Sequence, residues 1–329
     1  MRQFTGLEYL FINLANNLGF DKEDWDERLE IGQAVYHNNI NREEILETGK
    51  EAILAAKTVR AIDAAYKGEP CNIPVMFDAT ASGLQILAVL SGCPDTAENV
   101  NLINVNGCQC AYNNMAETMS KFVGKRLERS VIKPPTMTFF YASTAEPQKV
   151  FGKDTHELEM FYTTLAEEFP GATDLMYLML SFWNSKALYH QWTLPDGHVA
   201  HVPVLDKFQT KVEINELEGT TFTYQFTDNT TSTYNKPMPA NIVQSIDGYV
   251  VRELRRRCNF PILSIHDCFA VLPNRVNELR YHYLKIFKEL ADSNLLDTIA
   301  REVSGKFIRT RKRTSKLSTL MKTAEYHIC

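Results

Sequence analysis

Two short apolar runs that lead into aspartates constrain this fold more than any other feature. Residues 71–77 (CNIPVMF) stop at Asp78. Residues 261–265 (PILSI) run into His266-Asp267, and apolar character resumes at 269–272 (FAVL). Short β-branched runs bounded by turn signals predict buried strands. Each acid thus sits at or between strands expected to lie in a core sheet. An isolated carboxylate is costly to bury, so each acid needs a cation, a metal or hydrogen-bond donors. Singly, each is most simply a turn cap or half of an ion pair. Together on neighbouring strands they form a hard-oxygen site suited to Mg²⁺.

Most of the remaining pattern is helical. Leu7, Leu10, Phe11, Leu14 and Leu18 share a face, and Gly19 ends that helix. Trp25 and Leu29 anchor the acidic stretch 21–30, and residues 42–66 read as a second helical run. Residues 84–130 are helical with breaks at 92–94 and 104–107, and 153–192 are helical again. The texture changes at 193–240. Residues 211–215 and 221–226 alternate, and Glu218-Gly219 between them predicts a β-hairpin. Residues 241–257 return to helix. With no internal repeat or low-complexity linker, the expectation is one intertwined, helix-rich α+β unit.

No apolar run reaches the length of a membrane span, and no signal-peptide pattern opens the chain. Seven cysteines with no CxxC pair suit a reducing compartment. The formal net charge is −5, yet residues 301–323 hold eight Lys/Arg against the single acid Glu302. A basic segment on an acidic body predicts an acidic partner.

A third element raises the odds for the two acids. Arg129, Lys133 and Tyr141 fall at i, i+4 and i+12, one broad face if the segment is helical. Two cations and an aromatic suit a polyphosphate with a stackable base. Pro134-Pro135 is best tolerated in a first turn, so the helix is expected to begin near Lys133, with Arg129 in the preceding segment. The plain alternative is a solvated Arg and Lys beside a core Tyr.

The order acid, Arg-x₃-Lys-x₇-Tyr, His-Asp resembles the single-subunit phage and mitochondrial RNA polymerases. Motif A corresponds to FDATASGLQ (77–85), motif B to RSVIKPPTMTFFYAS (129–143) and motif C to IHDCF (265–269). INLANNLGFDKEDWDER (12–28), the stretch from 100 to Tyr112, WTLPDG (192–197) and NIVQSIDG (241–248) are similar to the connecting segments. Three motifs in order, with intervening matches, are a specific signal.

The resemblance implies a right-hand polymerase palm with a small antiparallel sheet and helical fingers. Palm with motif A spans 1–112, fingers 113–192, a specificity-loop-like β-hairpin 193–240, and palm with motif C and the basic segment 241–329. It implies template-directed nucleotidyl transfer with two Mg²⁺ ions held by Asp78, Asp267 and the Ala79 carbonyl. Arg129 and Lys133 would hold the triphosphate. Tyr141 and Gly83 would favour ribose, and Tyr112 and His266 would complete the nucleotide site. Gln244, Arg309, Arg311, Lys312 and Arg313 would face nucleic acid.

Two competitors stay open: an A-family DNA polymerase, and a noncatalytic nucleic-acid-binding assembly subunit. Gly83, where the DNA enzymes carry a ribose-blocking Glu, and Cys268, where they carry Glu, favour RNA synthesis. Pro134, Gln244 and Ala142 depart from the family's basic, His and Gly residues, and Glu213, Glu216 and Glu218 make the hairpin acidic.

With few residues ahead of motif A, the N-terminal domain and thumb are expected on a second polymerase chain, as in the two-chain RNA polymerase of certain phages. Expected partners are NTPs, an RNA product, a DNA template (single-stranded among the options) and a recruitment protein, with no membrane. The expected location is the cytoplasm of an infected bacterial host.

Overall fold

The computed structural model describes residues 1–37 and 51–329. The first part of the helical run expected at 42–66 lies outside the described residues.

The chain opens with α1 (Gly6–Asn17), whose Thr5 and Glu8 form a reciprocal capping box, followed by α2 (Trp25–His37) and α3 (Ala52–Tyr66). At the crossing of α1 and α2, Gly32 has no room for a side chain. A Cβ there would lie 2.1 Å from the Phe11 carbonyl oxygen. Because the obstacle is backbone, Gly32→Ala should lower stability by about 2–3 kcal/mol, read as a shift in the denaturation midpoint. An unchanged midpoint would contradict this packing.

Strand β1 (Val75–Asp78) is shorter than the expected run 71–77. Only its last four residues pair, with Val75 and Phe77 buried and Met76 and Asp78 outward. Next come α4 (Ser82–Ser91), α5 (Pro94–Asn99), α6 (Ala111–Val123), α7 (Arg129–Phe139), α8 (Ala145–Phe151), α9 (His156–Glu168) and α10 (Pro170–Leu180). Helix α4 is apolar on every side and buried from Leu84 to Leu90, as a helix threading a core must be. It packs against α10 and, later in the chain, against α11 (Pro237–Arg257) and α12 (Val276–Asp292).

The helical expectation for 153–192 fails past Leu180. Tyr189–Thr193 (β2) instead pairs with Val199–Pro203 (β3) around the turn at Pro195-Asp196-Gly197. Trp192 supplies the core contact of β2, its indole donating to Ser245 at 3.0 Å. The hairpin expected at 211–226 is present and longer. Strands β4 (Leu205–Ile214) and β5 (Thr220–Asn229) form a ten-residue ribbon turning at Glu218-Gly219.

The sheet that matters for the site is small and antiparallel. Its order is β1-β7-β6, with β6 at Leu263–Ile265 and β7 at Cys268–Val271. Residues 327–329 extend it on the far side of β1. Cys329 N–H donates to Asp78 O at 2.9 Å, and Thr80 N–H to His327 O at 3.2 Å. This late segment is tied down in several ways. The Gln85 amide donates to the Val100 and His327 carbonyls, both at 3.0 Å, and accepts from the Tyr283 hydroxyl. Arg280, fully buried, bonds the Arg2 carbonyl, the Tyr9 hydroxyl and Glu325, and lies over Trp25.

The remaining helices, α13 (Leu295–Ser304) and α14 (Leu317–Leu320), cover α12 and β2. The molecule is therefore helix-rich α+β around one contiguous core. Among the described residues no helix is long and apolar enough to cross a membrane.

Candidate active site

Asp78 ends β1 and Asp267 stands in the β6–β7 turn. The register pairs Asp78 with Cys268, and the Ala79 amide donates to the Asp267 carbonyl at 3.0 Å. Two acids distant in sequence are thus brought together, Asp78 at the end of β1 and Asp267 in the turn that leads into its partner β7. Neither has a salt bridge among the described residues.

A cavity of about 280 Å³ opens over them, lined by Lys22, Asp78, Ala79, Tyr112, Arg129, Lys133 and Asp267. Beside it lies a larger one of about 700 Å³, bordered by Ser82, Gly83, Tyr141, Gln244, Asp247 and His266. Tyr112, Met137 and Asp267 line both.

Arg129 and Lys133, one helical turn apart, converge on Tyr112. The guanidinium lies 5.6 Å and the ammonium 5.7 Å from its ring centroid, a cation–π arrangement. Contrary to expectation, α7 begins at Arg129, and both prolines are interior. They withdraw two N–H donors from carbonyls at Ser130 and Val131. Both of those residues are exposed, so water can replace the lost bonds.

Tyr141 is not on that helix, so the i+12 projection does not describe it. It lies in the following turn, its amide donating to Thr138 O at 3.1 Å. Its hydroxyl nevertheless reaches motif A, since a Cβ on Gly83 would be 3.0 Å from Tyr141 Oη and 3.6 Å from Val243 Cγ1.

Burial and Tyr141 push the Tyr112 phenol up to about 12. Burial, Asp247 and Asp267 raise Tyr141. Burial, then Asp267, raise the Asp247 carboxyl to about 6. Burial and Asp78 raise the Cys268 thiol to about 12. Three non-glycine residues beside the motifs adopt left-handed backbone: Ala81 (φ 55°), Ala142 (φ 60°) and His266 (φ 55°). Such strain costs roughly 1–3 kcal/mol each and concentrates at functional sites. At Ala142 it explains why the family pattern carries glycine.

The acid pair fits Mg²⁺. No group of three or more His, Cys, Asp or Glu able to hold a metal is found among the described residues. Mg²⁺ needs none, because it is commonly held by one or two carboxylates completed by water and substrate phosphates. Two unpaired carboxylates facing two cations across a small cavity match that chemistry.

The basic segment divides. Arg309 and Arg311 are exposed. Lys312 and Arg313 each have a partner within the protein, Lys312 half-buried and Arg313 in an exposed ion pair. The Lys312 ammonium caps α12, donating to the Ala291 carbonyl and to Ser293 O at 2.6 Å. Arg313 pairs with Asp174 at 2.6 Å. Gln244 and His266 are exposed at the larger cavity.

Sequence reasoning missed Lys22, Ser82 and Asp247 as lining residues. Asp247 was detectable: it stands one turn after Gln244, on the same helix face.

Residues 3–150 match the profile of the DNA-dependent RNA polymerases. The mitochondrial DNA-directed RNA polymerase of Schizosaccharomyces pombe is 29% identical over 171 residues, 42% of this chain and 14% of that protein. A probable DNA-directed RNA polymerase of Neurospora crassa is 24% identical over 370 aligned positions, covering 88% of this chain and 40% of its own length. One from Agaricus bitorquis is 29% identical over 109 residues, 30% of this chain and 10% of its own.

Over residues 3–150 the chain is similar to the DNA-dependent RNA polymerase family.

The chain spans less than half the length of the relatives it matches. These polymerase relatives are fungal, one of them mitochondrial, so the expectation of a phage protein in the cytoplasm of an infected bacterium is overturned. The profile match includes motifs A and B. The longer Neurospora alignment extends the similarity over most of this chain.

Proposed function

We propose that this chain carries the catalytic centre of a DNA-dependent RNA polymerase. The observation that carries the reading is the convergence of Asp78 and Asp267 with Arg129, Lys133 and Tyr112 at one cavity. When bound, two Mg²⁺ ions would activate the RNA 3′-hydroxyl and neutralise charge on the triphosphate. Asp78, Asp267 and the Ala79 carbonyl are the groups that would hold them.

Arg129 and Lys133 grip the triphosphate and offset its charge during transfer. Tyr112, beneath both cations, fixes their positions. Tyr141 stands against the incoming sugar, and Gly83 leaves space for its hydroxyls. Arg309 and Arg311 are exposed cations of the basic segment available to a phosphate backbone. In this reading the palm is 1–112 with 241–329, the fingers 113–192, and the hairpin region 193–240.

A second polymerase chain, carrying the thumb and N-terminal domain, completes the grip on template and product. Supporting this, edge strand β6 leaves Leu263 and Ile265 67% and 68% exposed, an apolar rim that a partner would cover. The ribbon's acids, Glu213, Glu216 and Glu218, oppose phosphate. Recognition of duplex promoters by this chain alone is therefore weak, with a recruitment protein or a single-stranded template taking over that task. An A-family DNA polymerase is disfavoured by Gly83, by Cys268 and by the names of the relatives.

The direct test is template-directed NTP incorporation on single-stranded DNA with Mg²⁺, using the chain alone and with whatever co-purifies from its source. RNA complementary to the template is expected from the co-purified assembly. No incorporation by either preparation would sink the polymerase reading. Robust processive synthesis by the chain alone would remove the need for a second chain.

A further inference from the structure

Asp247 is a carboxylate to which the polymerase reading gives no task. It projects from α11 into the 700 Å³ cavity, one turn beyond Gln244, with Ser82, Gly83 and Tyr141 across from it. No lysine or arginine pairs with it among the described residues. Its neighbours are the Ser82 hydroxyl, His266 and the negative Asp267. It is not a third metal ligand either, since Asp78, Asp267 and Asp247 form no three-acid group among the described residues.

A half-buried carboxylate lacking a cation, at the wall of a substrate cavity, calls for a neutral donor. An incoming nucleotide offers base N–H groups and sugar hydroxyls. A template-directed enzyme must accept all four bases, so a fixed acceptor serves best on a group common to all of them. Only the hydroxyls meet that condition. Tyr141 Oη marks where the sugar lies, because it approaches Gly83 at the start of α4. The Asp247 charge acts on that same phenol.

We infer that Asp247 accepts a hydrogen bond from the 2′-hydroxyl of the incoming nucleotide and so takes part, with Tyr141, in selecting ribose over deoxyribose. This rests on the polymerase reading. A site built to bond a hydroxyl rejects the analogue lacking it, because its own polar group is left unpaired in a desolvated place. A deoxynucleotide would leave Asp247 with the Ser82 hydroxyl as its remaining donor, one bond short of its state with ribose.

The test compares kcat/KM for an NTP, its 2′-deoxy and its 3′-deoxy analogue, using the active polymerase assembly on one template. Asp247→Ala should lower the ribose-to-deoxyribose ratio about 10- to 100-fold, mainly by weakening use of the NTP. Asp247→Asn, near-isosteric and still an acceptor, should retain part of the preference and keeps the test open if the alanine variant folds poorly. Tyr141→Phe should also relax the ratio. The double variant with Asp247→Ala should lose less than the product of the two single effects, since both groups serve one hydroxyl.

A merely structural role would depress all three substrates alike and leave the ratio unchanged. A ratio within twofold of wild type in both Asp247 variants, or a loss confined to the 3′-deoxy analogue, would overturn the inference while leaving the polymerase reading intact. A wild-type assembly that incorporates no nucleotide at all overturns both.

Discussion

Replacing Asp267 with alanine is expected to reduce nucleotide incorporation by about 10³-fold or more without unfolding the chain. Loss of a carboxylate that holds a catalytic cation removes several kcal/mol of transition-state charge stabilisation, and each decade of rate corresponds to about 1.4 kcal/mol. The fold should tolerate the change. Asp267 lies in a turn, bonds to Ala79 through its backbone carbonyl, and has no ion-pair partner among the described residues. A second consequence has a definite sign. Asp267 ranks after burial among the causes that raise Asp247, so the Asp247 carboxyl should titrate lower in the variant, readable by NMR. Incorporation unaffected by Asp267→Ala would instead favour a noncatalytic assembly subunit.

The second large effect is on stability. Arg280→Ala should cost about 3–5 kcal/mol, as expected when one partner of a buried charged network is removed. The side chain is fully buried. Its Nη1 donates to Arg2 O and to the Tyr9 hydroxyl at 2.9 Å each, and its Nη2 to Glu325 O at 2.8 Å. Alanine would leave these acceptors dry and Glu325 with only its bonds to the first residues of the chain. The check is a denaturation curve. A midpoint within the error of wild type would show that the network is not cooperative.

The chemistry of the site was more legible than the path by which the chain builds it. Asp78 and Asp267 could be read because apolar runs ending on acids are uncommon, and the structure brings them together where β1 meets the start of β7, with Asp267 in the turn just before that strand. Arg129 and Lys133 could be read because a spacing of four brings side chains together on any helix, wherever that helix starts. Tyr141 was projected wrongly because a helical wheel cannot show where the helix stops. Its contact with Gly83 arises from the turn after Phe139.

The start of α7 was misplaced because the proline rule assumes that lost hydrogen bonds are buried, whereas here they face water. Strand β2 was missed although His190 and Trp192 alternate inward before a Pro-Asp-Gly turn, and what holds it is the docking of Trp192 against α11. Lys312 and Arg313 looked like free charge because a sequence does not show which carbonyls or carboxylates lie nearby. Asp247 was passed over for a similar reason: its position on the helix was plain, but the cavity it borders is made by four segments distant in sequence.

The strand formed by residues 327–329 bears on how the protein is made. Motif A is synthesised early, yet β1 gains its partners only when residues 268–271 and then 327–329 have been added. During synthesis the apolar inner face of β1, Val75 and Phe77, must wait for these partners until residues far downstream have been added. Pairing over such separations is slow, because loop closure precedes any reward from the contact. Asp78 and Asp267 thus come together only after β7 has been added, and a ribosome stalled before residue 268 would display a chain with α7 formed and the two acids still apart.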